Sequence, residues 1–209
     1  MDLGGGALDL ACQPMDISGS YSLSGGSVLK ASKLQVEASG ILNVQGLLEV
    51  GGDFINAGQV IANAGSISLN GACLPAGATI KISGTGTIAN LTISSNSGQS
   101  FEIQPGANIT VTQQLTVTGE PGKPVQLTSA NGQASNIQVA PSAQVSQSNV
   151  VTNNVAITPT VTPPVTATAT PVPTLGDAVV SLLSLLVLTL ALGTLRRSKA
   201  AILFRKTNP

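Results

Sequence analysis

Along most of the chain, short stretches place two aliphatic residues on either side of one polar residue. Leu34-Gln35-Val36, Ile67-Ser68-Leu69, Ile80-Lys81-Ile82, Leu91-Thr92-Ile93, Leu115-Thr116-Val117, Val125-Gln126-Leu127 and Ile137-Gln138-Val139 all follow this pattern. In extended backbone, such a triplet sends its outer side chains to one face and the middle one to the other, so each predicts a half-buried strand. Gly25-Gly26, Gly51-Gly52, Ala57-Gly58, Ala64-Gly65, Ala76-Gly77, Pro105-Gly106 and Pro121-Gly122 mark turns between them. No stretch before Ile157 carries a useful helical period.

The triplets recur. Those beginning at Ile67, Leu91, Leu115 and Ile137 are 24, 24 and 22 residues apart. Ile80/Ile82, Phe101/Ile103 and Val125/Leu127 form a second series roughly in step with the first. A repeat of this length with several short strands predicts one coil of a right-handed parallel β-helix, its aliphatic residues stacked in columns from about Ser18 to Ile157. No coil can bury its inner face alone, so stacking has to supply the core. An antiparallel β-sandwich gives a similar spacing of turn signals and is the alternative architecture.

The pattern changes after Ile157. Thr158 to Thr174 reads TPTVTPPVTATATPVPT, with five Pro and seven Thr in seventeen residues. Such a run builds neither a core nor a sheet interior and is expected to act as a semi-rigid spacer over 158–171. Val179 to Leu195 then holds seventeen uncharged residues, eight of them Leu. At 1.5 Å per residue a helix there spans about 26 Å, enough to cross a bilayer of ~30 Å with modest thinning. Its eleven Leu and Val favour insertion by about 0.3–0.6 kcal/mol each. The sequence thus divides into a β-helical ectodomain over 1–157, a stalk, and a membrane-directed tail over 172–209.

Charge sharpens this picture. Four Lys face nine acidic residues up to Leu195, whereas the last fourteen residues hold Arg196, Arg197, Lys199, Arg205 and Lys206 and no acid. A basic cluster beside an apolar helix, without interleaved aromatics, points to a membrane and not to nucleic acid. Arg196 and Arg197 are expected to stop transfer on the cytoplasmic side and leave the ectodomain outside. Export needs an N-terminal signal, yet the chain opens Met1-Asp2-Leu3-Gly4-Gly5-Gly6, so the native start is expected upstream.

The tail resembles a known sorting signal. Val172-Pro173-Thr174-Leu175, an apolar helix and Arg196-Arg197 are similar to the IPTL-CTERM signal of Gram-negative bacteria, with Ala178 where that family has Trp. The resemblance implies recognition by an exosortase, a membrane-embedded transpeptidase-like processing enzyme. Gly52-Asp53-Phe54-Ile55-Asn56-Ala57-Gly58 and Gly122-Lys123-Pro124-Val125-Gln126-Leu127-Thr128-Ser129 likewise resemble turns and coils of adhesin-type β-helical proteins. That likeness implies an adhesive or structural role, with an extracellular glycan or matrix as partner.

Catalytic chemistry finds little support in the residues. Without His, Ser-His and Cys-His nucleophiles are excluded. The acids are scattered singly, so no column of carboxylates is expected for glycan cleavage, and no cofactor or metal site is predicted. A carbohydrate-active β-helix remains the alternative function. Gly51-Gly52-Asp53-Phe54 and Gly84-Thr85-Gly86 lack the neighbours that a cyclase or dinucleotide loop requires. Cys12 and Cys73 lie 61 residues apart, about 2.5 coils or roughly 12 Å, beyond the ~7 Å limit for a bond. They are expected to be free thiols unless the N-terminal segment folds back as a cap.

Overall fold

The computed structural model describes residues 4–159. Within them the chain forms eighteen strands and a single 3-10 turn, Ala130–Gly132. The strands are β1 (Ala7–Asp9), β2 (Met15–Ile17), β3 (Ser20–Leu23), β4 (Val28–Ala31), β5 (Leu34–Val36), β6 (Ile41–Val44), β7 (Leu47–Val50), β8 (Phe54–Asn56) and β9 (Gln59–Leu69). They continue as β10 (Thr79–Ser83), β11 (Thr85–Ser95), β12 (Ser100–Ile103), β13 (Asn108–Gly119), β14 (Val125–Ser129), β15 (Ser135–Val139), β16 (Gln144–Ser148), β17 (Val150–Asn153) and β18 (Val155–Pro159).

Among the described residues every strand-to-strand pairing is parallel, each strand lying beside its equivalent one coil away. The sole antiparallel contact there is an isolated bridge, Glu120 to Lys123. The fold is therefore an all-β parallel solenoid of about seven turns, and the sandwich alternative falls. Three faces result. The first stacks β1, β4, β7, the second halves of β9, β11 and β13, and β16. The second is the seven-stranded sheet β2-β5-β8-β10-β12-β14-β17. The third stacks β3, β6, the first halves of β9, β11 and β13, then β15 and β18.

The alternation in the sequence builds the core directly. Ile67, Leu91 and Leu115 form one inward column and Leu69, Ile93 and Val117 the next, all at most 2% exposed. The polar residues between them, Ser68, Thr92 and Thr116, form an outward column in the same register. Few aromatic rings enter the narrow axis; among the described residues the buried ones are Tyr21, Phe54 and Phe101.

Coil length is less regular than the repeat of the triplets predicts. On the first face Val28 pairs with Leu47, and Leu47 in turn with Ser66, both shorter steps than the triplet spacing. Higher on the same face Gln114 pairs with Gln144, a step longer than that spacing. Ile137 and Val139 accordingly do not join the Ile67–Leu91–Leu115 series. They pair with Ile109 and Val111 on the third face. Leu127, not Val125, aligns with Phe101 on the second.

Cys12 and Cys73 also depart from expectation. They form a disulfide with Cα atoms 5.5 Å apart. Counting coils misjudges the distance because it assigns each cysteine the height of its strand. The Cys73 amide donates to the Gly51 carbonyl at 3.1 Å, the same one-coil step that Asn70 makes to Val50, and the connection over residues 70–78 leaves the strand there. From the other side, Ala11 and Cys12 adopt positive φ of 50° and 62° and turn the chain out of the first coil.

Strand β18 runs through Pro159, so Thr158 and Pro159 still pair with Gln138 and Val139. Among the described residues no helix is long and apolar enough to cross a membrane. The expected membrane segment Val179–Leu195 lies outside the described residues, as does the stalk beyond Pro159.

Candidate functional site

Val172, Pro173, Thr174, Leu175, Arg196 and Arg197 all lie outside the described residues. Several concave surfaces of the solenoid bring polar side chains together, and two of them differ sharply in charge.

The first lies low on the first face, beside the disulfide, and encloses about 370 Å³. Register stacks Asp9, Lys30 and Glu49 in a single outward column, and Lys30 Nζ sits 3.0 Å from Glu49 Oε2. Two carboxylates therefore share a column, contrary to expectation. The steps from Asp9 to Lys30 and from Lys30 to Glu49 are both shorter than the spacing of the triplets, which hides the alignment in the sequence. A lysine occupies the row between them. The hydrogen bond to Glu49, then the Glu49 charge, and more weakly the charge of Asp9, hold Lys30 above the usual lysine range. A general base needs the opposite shift, toward neutrality near working pH. Glu49 is engaged by the lysine, so the trio suits an exposed ion pair better than proton transfer. No group of His, Cys, Asp and Glu that could hold a metal occurs among the described residues.

The second surface lies on the third face and encloses about 490 Å³. Its rim and walls come from Gln59 and Asn63 on β9, Thr85 and Thr87 on β11, and Asn108 and Thr110 on β13. Ile61, half-buried, supplies an apolar patch. Apart from Asn63, at the corner, these residues fall in two outward columns, with Ile61, Thr87, Thr110 and Gln138 aligned in one and Thr85 beside Asn108 in the other. No Asp, Glu, Lys or Arg lines it.

Corner geometry explains the concavity. Between the third and first faces, β9 turns with three residues, Asn63, Ala64 and Gly65, and β13 with two, Thr112 and Gln113. β11, between them, turns with Ala89 alone, which is fully buried. A tight coil thus lies between two wider ones. Gly86 adds to the effect, standing in the inward column between Val60 and Ile109 without a side chain to hold the strand outward.

Behind this groove lies Asn56, 5% exposed, in the inward column that begins with Ile17 and Val36. Its Nδ2 donates to the Thr85 carbonyl at 2.5 Å. Its Oδ1 is buried and has no hydrogen-bond partner.

None of the groove residues stands out in the sequence, where each is one more Thr, Asn or Gln between aliphatics. The readable signal is Thr85-Gly86-Thr87, a strand with Gly where the paired strands on either side have Val60 and Ile109. No protein family matches the chain, and neither the curated proteins nor the solved structures contain a match.

Proposed function

We propose that this is a non-enzymatic structural or adhesive protein, displayed on the cell surface or secreted. Its solenoid, right-handed as parallel crossovers almost always are, stands outside the cytoplasm. A single transmembrane helix over 179–195 holds it in the membrane, with Arg196 and Arg197 as the stop-transfer pair. An exosortase-type enzyme then processes the chain at Val172-Pro173-Thr174-Leu175.

The observation that carries this reading is the Cys12–Cys73 disulfide. Disulfides persist in oxidising compartments and are rare in a reducing cytosol. The outward columns agree with display: Ser68-Thr92-Thr116-Ser146 and Ser94-Thr118-Ser148 on the first face form uncharged hydroxyl ladders. These ladders stay hydrated, and below Ser68 the first of them continues into the charged column of Glu49, Lys30 and Asp9.

A second reading, a carbohydrate-binding or carbohydrate-active β-helix, is favoured in its binding form by the uncharged groove. An active form would need a proton-transfer group other than Lys30, whose hydrogen bond to Glu49 raises its pKa.

The test is labelling of intact native cells with a membrane-impermeant amine reagent. Lys81 and Lys123 are exposed on the solenoid and are expected to be modified before lysis. Modification only after lysis would overturn surface display.

A further inference from the structure

We infer that the third-face groove is a binding site for a neutral glycan, laid along the solenoid axis across three coils. This deepens the adhesive reading by naming a site and a ligand chemistry.

The lining chemistry selects the ligand. Thr85, Thr87 and Thr110 offer hydroxyls that both donate and accept, and Gln59, Asn63 and Asn108 offer amides that do the same. No charge balances a phosphate, a carboxylate or a sulfate, so nucleic acid, acidic glycans and charged peptides bring unpaired charge into the groove. A lipid would leave the rim amides unmatched. A neutral sugar fits both requirements, with hydroxyls for the walls and a C–H face for Ile61.

Spacing selects an extended chain over a single sugar. Coils rise ~4.8 Å each, so equivalent groups on β9, β11 and β13 span about 10 Å. The rise of one coil is comparable to the length of one pyranose in an extended glycan, so successive sugars meet register-matched side chains. At about 490 Å³ the groove is within the range that small-molecule sites occupy. Outward columns continue past it, to Asn43 and Ser22 in one direction and Gln138 and Thr158 in the other. A longer chain therefore gains further contacts, each weak, in the manner of a multivalent ligand.

Asn56 adds a separate observation. A buried Oδ1 without a donor is costly in the free protein. The Nδ2 of the same residue holds Thr85 in place and lies beneath the row where Gly86 leaves room, 4.0 Å from where a Cβ on Gly86 would stand.

The experiment is isothermal titration of the full-length chain with cellotetraose, xylotetraose, laminaritetraose and tetra-N-acetylchitotetraose, with tetragalacturonate as the acidic counterpart. At least one neutral tetrasaccharide is expected to bind, with little change between low and high salt. Thr87→Arg and Asn108→Ala are each expected to weaken it about tenfold or more, roughly 1.4 kcal/mol or beyond. Thr116→Arg, on the first face, is expected to leave it unchanged. Asn108→Ala keeps the test decisive if the arginine variant fails to fold. Failure of every neutral tetrasaccharide to bind, binding of tetragalacturonate alone, or indifference to both groove substitutions would overturn the site. Surface labelling of Lys81 and Lys123 would stand through any of those failures, and glycan binding would stand if the chain proved not to be displayed.

Discussion

Cys73 lies directly against Gly51: its amide donates to the Gly51 carbonyl at 3.1 Å, and a Cβ on Gly51 would stand 2.6 Å from Cys73 Sγ. The glycine leaves the space that the Cys73 sulfur occupies on its way to Cys12. Gly51→Val is expected to push Cys73 away and prevent the bond. Alkylation of the unfolded, unreduced protein, read by mass, checks this. The parent chain should take up no reagent and the variant two equivalents. No uptake by the variant would show that Gly51 is not what admits the bond.

Closing a loop of 61 residues restricts the unfolded chain, which by the chain-entropy estimate is on the order of 4 kcal/mol of stabilisation. Reduction of the folded protein is therefore expected to lower its denaturant midpoint by an amount equivalent to about 2–4 kcal/mol. An unchanged midpoint would place the bond at the margin of the fold, fastening a loop only.

The alternation predicts opposite outcomes for neighbouring residues. Leu91 is 2% exposed and stacks between Ile67 and Leu115, so Leu91→Ala should cost about 2–5 kcal/mol. Thr92 points outward between Ser68 and Thr116, and Thr92→Ala should stay within about 0.5 kcal/mol. Urea unfolding of the two variants checks the orientation of β11. Comparable losses would mean the register is shifted by one.

Two glycines separate backbone strain from crowding. Gly84 and Gly106 both have positive φ, +94° and +80°, but an added Cβ at Gly106 meets nothing within 4 Å. At Gly84 it would run into the Asn56 backbone carbonyl. Gly106→Ala is expected to cost about 1–2 kcal/mol for the left-handed backbone alone. Gly84→Ala should cost a further ~1–3 kcal/mol and disturb the wall behind the groove. Thermal unfolding of the pair checks this, and equal losses would remove Asn56 from the explanation.

Much of the solenoid was legible in the sequence. The evenly spaced triplets at Ile67, Leu91 and Leu115 do stack as one column, and Ile80/Ile82 does lie over Phe101/Ile103. What spacing could not supply was the face. A triplet reads the same on any of the three, so Ile137/Val139 looks like the next member of the first-face series although it belongs beside Ile109/Val111. Variable connections compound the problem. The step from Val28 to Leu47 is much shorter than that from Gln114 to Gln144, so no single period covers the chain. The disulfide and the groove were hidden for the same reason. Both depend on how loops and corners leave the strands, the turn at Ala11 and Cys12 and the connection over residues 70–78 in one case and the single-residue corner at Ala89 in the other.

Surface export of an oxidised, processed solenoid is tested most directly by mass spectrometry of the form recovered from the surface of intact native cells, digested without reduction. The predicted result is a linked pair of peptides containing Cys12 and Cys73, and a mature chain lacking peptides from Leu195 to Pro209. Recovery of those C-terminal peptides on the main surface-exposed form would show a permanent anchor and contradict processing at Val172-Pro173-Thr174-Leu175. Free Cys12 and Cys73 in that form would contradict export of an oxidised solenoid.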